Sequence, residues 1–131
     1  MPGGPHFLTG SLTDKMVSHW EASVFYSEIP AWFAASVART DPEARAGLAA
    51  SLGVLADEVG MVRGYPCPIG ILQGRYERTV RESYLESLGF GSDIWRNEIQ
   101  VVDESNHFTQ FDAALAFNAL VATFIAEHAK R

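Results

Sequence analysis

The rhythm of hydrophobic and polar positions changes once along this chain, near Gly60. Before it, apolar residues recur every three or four positions, the period of a helix with one covered side. Met16, Val17, Trp20, Val24 and Phe25 share such a side, and Thr13 is placed to cap that helix. Ser27 or Glu28 with Pro30 restarts a helix through Trp32, Phe33 and Val37. Thr40-Asp41-Pro42-Glu43 is a further start signal, because Thr40 and Glu43 have capping-box spacing and Pro42 suits a first turn. That helix continues through Leu48, Leu52 and Leu55, with Gly53 as a break point.

After Gly60 the apolar residues gather into short runs separated by turn-formers. Pro66-Cys67-Pro68 is extended, and Ile69-Gly70-Ile71-Leu72 has the continuous apolar character of a strand covered on both faces. Residues 74–78 read as a loop, 79–88 as a helix ended by Gly89, and 98–103 as a second strand. Asp112 then caps a helix carrying Leu115, Phe117, Leu120, Val121, Phe124 and Ile125, whose last turn is followed by Lys130 and Arg131. The predicted fold class is α/β: a helical N-terminal half, then a strand–helix–strand–helix unit whose strands run parallel through a right-handed crossover.

Residues 1–12 are rich in Gly and Pro and read as a flexible arm, 13–60 as a helical segment and 61–131 as an α/β core. A chain of 131 residues can hold these in one compact domain. A net charge of −6 without a basic cluster argues against nucleic acid and anionic membranes as partners. No stretch approaches the roughly 18 apolar residues of a membrane span, and no charged start with an apolar core marks a signal peptide. With the single Cys67, which reads as an inert core thiol, this fits a cytoplasmic protein. His6, His19 and His128 lack ligand spacing, so neither metal nor cofactor is expected.

Two loops carry the candidate chemistry. Gly74-Arg75-Tyr76-Glu77 follows the first strand and Asn106-His107-Phe108 the second. Parallel strands deliver both loops to one sheet edge, where open α/β sheets hold their sites. On neighbouring strands Glu77 can hydrogen-bond one imidazole nitrogen of His107, fixing the tautomer and leaving the other nitrogen to accept a proton. Taken singly, each residue has a plainer reading: Glu77 as a solvated carboxylate paired with Arg75 or Arg78, and His107 as a local packing residue. The acidic pair Asp103-Glu104 reads as solvated surface. Aromatic residues at the spacing of Trp20, Phe25, Trp32 and Phe33 are more often core than pocket lining.

These segments resemble the C-terminal part of the α/β-hydrolase superfamily. Cys67-Pro68-Ile69-Gly70-Ile71-Leu72-Gln73-Gly74-Arg75-Tyr76-Glu77 is similar to the strand and turn that supply the family's acid. Val101-Val102-Asp103-Glu104-Ser105-Asn106-His107-Phe108 is similar to the strand and loop that supply its histidine. The resemblance implies Glu77 as acid, His107 as base, residues 13–60 as cap helices and the tail as the family's final helix. Asn106 stands where a glycine is usual, tolerable because Asn also accepts unusual backbone angles. Thr79 and Val80 stand where a proline is common.

The sequence contains no Gly-x-Ser-x-Gly nucleophile elbow. Ser105 and Ser11 have no oxyanion donors around them and are not substitutes. Two parallel strands also make an unstable sheet by themselves. The expectation is therefore a truncated or split ester or acyl hydrolase, completed by a homo-oligomer or a complementing polypeptide and acting on a small apolar ester-type ligand. The alternatives are a non-catalytic protein that binds a partner or an apolar ligand, and a Glu–His dyad that abstracts a proton without a serine.

Overall fold

The structure, a computed structural model, describes residues 14–51 and 58–129. These divide into two compact units, residues 14–23 with 28–51 and residues 24–27 with 58–129. The expected cap at Thr13, the arm, the continuation through Leu52, Gly53 and Leu55, and the basic pair Lys130 and Arg131 lie outside the described residues.

The first unit is helical: α1 (Asp14–Val24, whose last residue passes to the second unit), α2 (Ala31–Arg39) and α3 (Pro42–Ser51). Trp20 stacks on Phe33 with ring centroids 5.5 Å apart, and Trp32 meets Phe33 edge-on at 5.7 Å. Phe33 is buried while Trp32 stays exposed, so only part of the aromatic stripe is core. The capping box is corrected. Asp41, not Thr40, accepts the Glu43 backbone N–H (2.9 Å), while the Thr40 hydroxyl turns back to the carbonyl of Ser36. An aspartate one position nearer the helix start reaches the free N–H with less chain to order.

The second unit runs α4 (Glu58–Gly64), β1 (Leu72–Gly74), α5 (Glu82–Ser87), two 3-10 turns (Gly91–Asp93 and Trp95–Asn97), β2 (Gln100–Val102), α6 (Thr109–Asp112) and α7 (Ala114–His128). β1 and β2 pair in parallel, with Leu72 opposite Gln100, Gln73 opposite Val101 and Gly74 opposite Val102. Of the apolar run at 69–72, Leu72 lies in the ladder and residues 69–71 lead into it. The carbonyl of Ile69 accepts from Trp95 N (2.7 Å) and that of Ile71 from Gln100 N (2.9 Å). Gly70 lies against the Phe124 ring, where even a Cβ would sit 3.4 Å from ring carbons.

Val24, Phe25, Phe90, Ile94, Trp95 and Val102 are the buried apolar residues of this unit. Trp95 donates its indole N–H to Glu127 of α7 (2.5 Å), and Arg96 both pairs with Glu127 and lies over the Trp95 ring. Cys67 is corrected: it is exposed, because residues 65–68 form an outer stretch, bent at 66 and 67, before the ladder begins. The apolar face expected of the last helix also differs. Among its described residues α7 has none that is fully buried, and Leu115 is 89% and Ile125 57% exposed. Among the described residues no helix is long and apolar enough to cross a membrane.

Candidate functional site

β1 and β2 end at Gly74 and Val102 in register, so their following loops leave from one edge and are stitched together by backbone bonds. Arg75 N donates to Val102 O (2.9 Å), Tyr76 N to Ser105 O (2.9 Å), and Glu77 N turns back to Gly74 O (3.1 Å). Gly74 permits this approach. A Cβ there would lie 2.2 Å from the carbonyl oxygen of Asn106, well inside van der Waals contact.

The Glu77 carboxylate is held at both oxygens. Oε1 accepts the backbone N–H groups of Thr79 and Val80, and Oε2 accepts the Nδ1 of His107 at 2.8 Å. An ionised carboxylate can only accept, so His107 carries its proton on Nδ1. Among the described residues Nε2 makes no hydrogen bond. The Glu77 side chain is 8% exposed and that of His107 33%, so the carboxylate is covered and the imidazole reaches solvent. Arg75 pairs with Asp103 rather than Glu77, which removes the reading of Glu77 as a solvated partner of Arg75, while Asp103 is exposed, as expected of solvated surface.

Thr79 and Val80 acquire a reason. A proline at either position would delete an N–H that Glu77 uses. The same bonds explain why α5 starts at Glu82 rather than Thr79, since residues 79 and 80 turn their donors toward the carboxylate. Gln73 closes the loop with a side-chain bond to Val80 O (2.7 Å).

Burial pushes the Glu77 carboxyl up, but the hydrogen bonds from His107, Thr79 N–H and Val80 N–H, with the attraction of His107, outweigh it and hold the carboxyl below its ordinary value of 4.5. A lowered folded value means that Glu77 stabilises the fold above the unfolded value, and that this contribution fades as pH falls through the folded one. The stability gap between wild type and Glu77→Gln in urea titrations should be widest at neutral pH and close as pH drops below 4.5. A gap that stays constant down to acid pH would count against the ionised pair.

The histidine loop is braced by a distant segment, residues 24–27, which the sequence places on the first helix and at the start of the next. His107 N donates to Val24 O (3.0 Å), and Phe25 packs on Phe108 with centroids 5.0 Å apart. Tyr26 stacks on Tyr76 at 4.7 Å, and the neighbouring Tyr76 and Glu104 help raise the Tyr26 hydroxyl above its usual range. The expected cap at Asp112 is corrected: Ala113 precedes α7, and the Asp112 carboxylate turns away to residues 26, 27 and 106. The account of Asn106 is corrected too. The positive φ in this turn belongs to Glu104 (51°), while Asn106 is 2% exposed and directs its amide to Phe25 O.

Ser105 is buried, with its hydroxyl on Val102 O, as befits a loop brace rather than a nucleophile. His128 bonds Phe124 O and His19 is exposed; His6 lies outside the described residues. Among the described residues no group of His, Cys, Asp and Glu could hold a metal ion. A cavity of about 70 Å³ is lined by Gln73, Gly74, Arg75, Glu77, Glu82 and Val101. It is far smaller than the roughly 300 Å³ of a small-molecule pocket. A larger hollow of about 360 Å³, walled by residues such as Leu85, Phe90 and Ile99, includes neither Glu77 nor His107.

Two solved structures share this arrangement of elements. One is the N-acyl homoserine lactonase AidH, a serine-to-glycine variant complexed with N-hexanoyl homoserine lactone (TM-score 0.82, 26% identity, 97% of this chain and 48% of that chain). The other is AidH complexed with N-butanoyl homoserine (TM-score 0.79, 27% identity, 93% of this chain and 46% of that chain). AidH has the α/β-hydrolase fold. This chain matches a part of that fold. It spans about half the length of the AidH chains it matches. No protein-family model matches it, and no curated protein does.

Proposed function

We propose that this chain supplies the acid and the base of an α/β-hydrolase site that cleaves small esters or lactones, while the serine nucleophile is carried on another polypeptide segment. The observation that carries this reading is the 2.8 Å bond from His107 Nδ1 to Glu77, made by two loops at one edge of a parallel strand pair. In the proposed reaction His107 Nε2 takes the proton of the serine hydroxyl as its oxygen attacks the acyl carbon. It then returns that proton to the leaving alkoxide, and in the second half-reaction activates water against the acyl ester. Glu77 holds the imidazolium formed in each step. AidH, a lactonase seen with an N-acyl homoserine lactone and with an N-acyl homoserine, makes acylated lactones the first substrate class to test.

A second feature supports a complementing polypeptide or a second copy of the chain. Among the described residues the sheet has two strands, and α7, most of whose residues are apolar, exposes Leu115 and Ile125. A two-stranded sheet needs further strands or packing to persist in water. The same surface would serve a non-catalytic binding protein, and turnover separates the two readings.

The test measures hydrolysis of p-nitrophenyl butyrate and N-hexanoyl homoserine lactone. One sample is the chain alone, and the other is the chain co-expressed with a polypeptide carrying five or six further strands and a Gly-x-Ser-x-Gly elbow. Turnover should appear only in the co-expressed complex. Turnover by the purified chain alone would sink the claim that the nucleophile comes from elsewhere. A stable, inactive complex would favour the binding reading.

A further inference from the structure

With His107 read as the base, we propose that Asp112 is its positioning residue, acting through the backbone before the histidine and through the segment that braces it. Its carboxylate gathers four donors from two parts of the chain. Oδ1 accepts from Tyr26 N (3.0 Å), Ser27 N (3.0 Å) and Ser27 Oγ (2.9 Å), and Oδ2 accepts from Asn106 N (2.9 Å) and, more weakly, Tyr26 N (3.1 Å). A carboxylate offers about four lone-pair sites, so Asp112 is saturated by these groups.

The consequence for His107 is geometric. Its preceding residue, Asn106, is fixed by Asp112 at the backbone and by Phe25 O at the side chain. Its own N–H is fixed by Val24 O (3.0 Å). Val24 and Phe25 belong to the same short segment that Asp112 grips at Tyr26 and Ser27. One carboxylate thereby locks the loop to its brace, and the His107 ring is left with the single side-chain bond to Glu77. Placement within a few tenths of an ångström is what a proton-transfer group requires. An asparagine at 112 would keep one accepting oxygen and turn an NH₂ toward a backbone N–H, so either the loop or the brace would lose its anchor.

The test is nuclear magnetic resonance on the wild-type chain and Asp112→Asn, following the far-downfield Nδ1–H proton of His107 and amide hydrogen exchange. In the variant the Nδ1–H signal should broaden or vanish. The Asn106 amide should exchange roughly tenfold faster or more. The amides of Gln73 and Val102 in the ladder should keep their protection. An unchanged Nδ1–H signal, or unchanged exchange at Asn106, overturns the proposal. If Asp112→Asn does not fold, the wild-type chain decides. The Tyr26, Ser27, Asn106 and His107 amides should exchange together as one protected group, and exchange of any of them at the rate of the exposed Arg78 amide overturns it. A hydrolytically inactive complex whose Nδ1–H signal still responds to Asp112→Asn would sink the hydrolase reading and leave the positioning role standing. The reverse result would sink the positioning role alone.

Discussion

Gly74→Ala should destabilise the chain by about 3 kcal/mol or more, and it should do so through the histidine loop. The added Cβ would lie 2.2 Å from Asn106 O, 2.6 Å from Ser105 O and 2.8 Å from Ser105 C. All three are backbone atoms, so no side chain can swing aside. That backbone is pinned on several sides, by Tyr76 N on Ser105 O, by the Ser105 hydroxyl on Val102 O and by Asp112 on Asn106 N. The usual gain of up to about 1 kcal/mol from replacing a glycine, which comes from a less mobile unfolded chain, is too small to offset the clash. Gly47 in α3 is the control, since a Cβ there meets nothing within 4 Å. Gly47→Ala should be neutral or stabilising by up to about 1 kcal/mol. Urea unfolding of both variants at constant slope checks the contrast, and a Gly74→Ala midpoint within error of wild type would show that the two loops are not held against each other.

The parallel strand pair and the meeting of Glu77 with His107 were legible in the sequence because both follow from local signals. Two apolar runs separated by a helical stretch imply parallel strands, and parallel strands bring their following loops to one edge. What stayed hidden depends on partners far away along the chain. Asp112 reads as a helix cap because it stands before an apolar periodic run, yet its partners at Tyr26 and Ser27 lie 86 and 85 positions upstream. Nothing in local spacing marks residues 24–27 as a brace, since Val24 and Phe25 also fit the periodicity of α1. Cys67 departs from expectation for a related reason. An apolar run signals burial for the run itself, but residues 69–72 are half-buried and full burial begins at Gln73, after the proline-flanked stretch has passed along the outside. The helix expected from Thr79 fails because the Glu77 side chain competes for the N–H groups that would have started it.

In a complex that hydrolyses esters, His107→Ala should lower kcat about 10³-fold while KM stays within a small factor of wild type. The base acts when the serine proton moves, so its loss falls on the transition state rather than on substrate binding. Glu77→Gln should fall in the same direction by a different route. The glutamine amide can turn its NH₂ toward Nδ1, and the ring would then place its proton on Nε2, the nitrogen that must be free to accept one. The 8% exposure of the Glu77 side chain leaves little water to compensate for the lost charge. The double variant should lose little more than His107→Ala alone, because an orienting carboxylate has nothing to orient once the imidazole is gone. Additive losses would mean that Glu77 and His107 act separately. A raised KM with kcat unchanged in His107→Ala would place the imidazole in substrate binding and end its role as a base. A serine-directed fluorophosphonate separates the remaining alternative, a Glu–His dyad working without a serine. It should label the complementing polypeptide and stop turnover if the proposed division of the site is right, and turnover that survives complete labelling would favour the dyad.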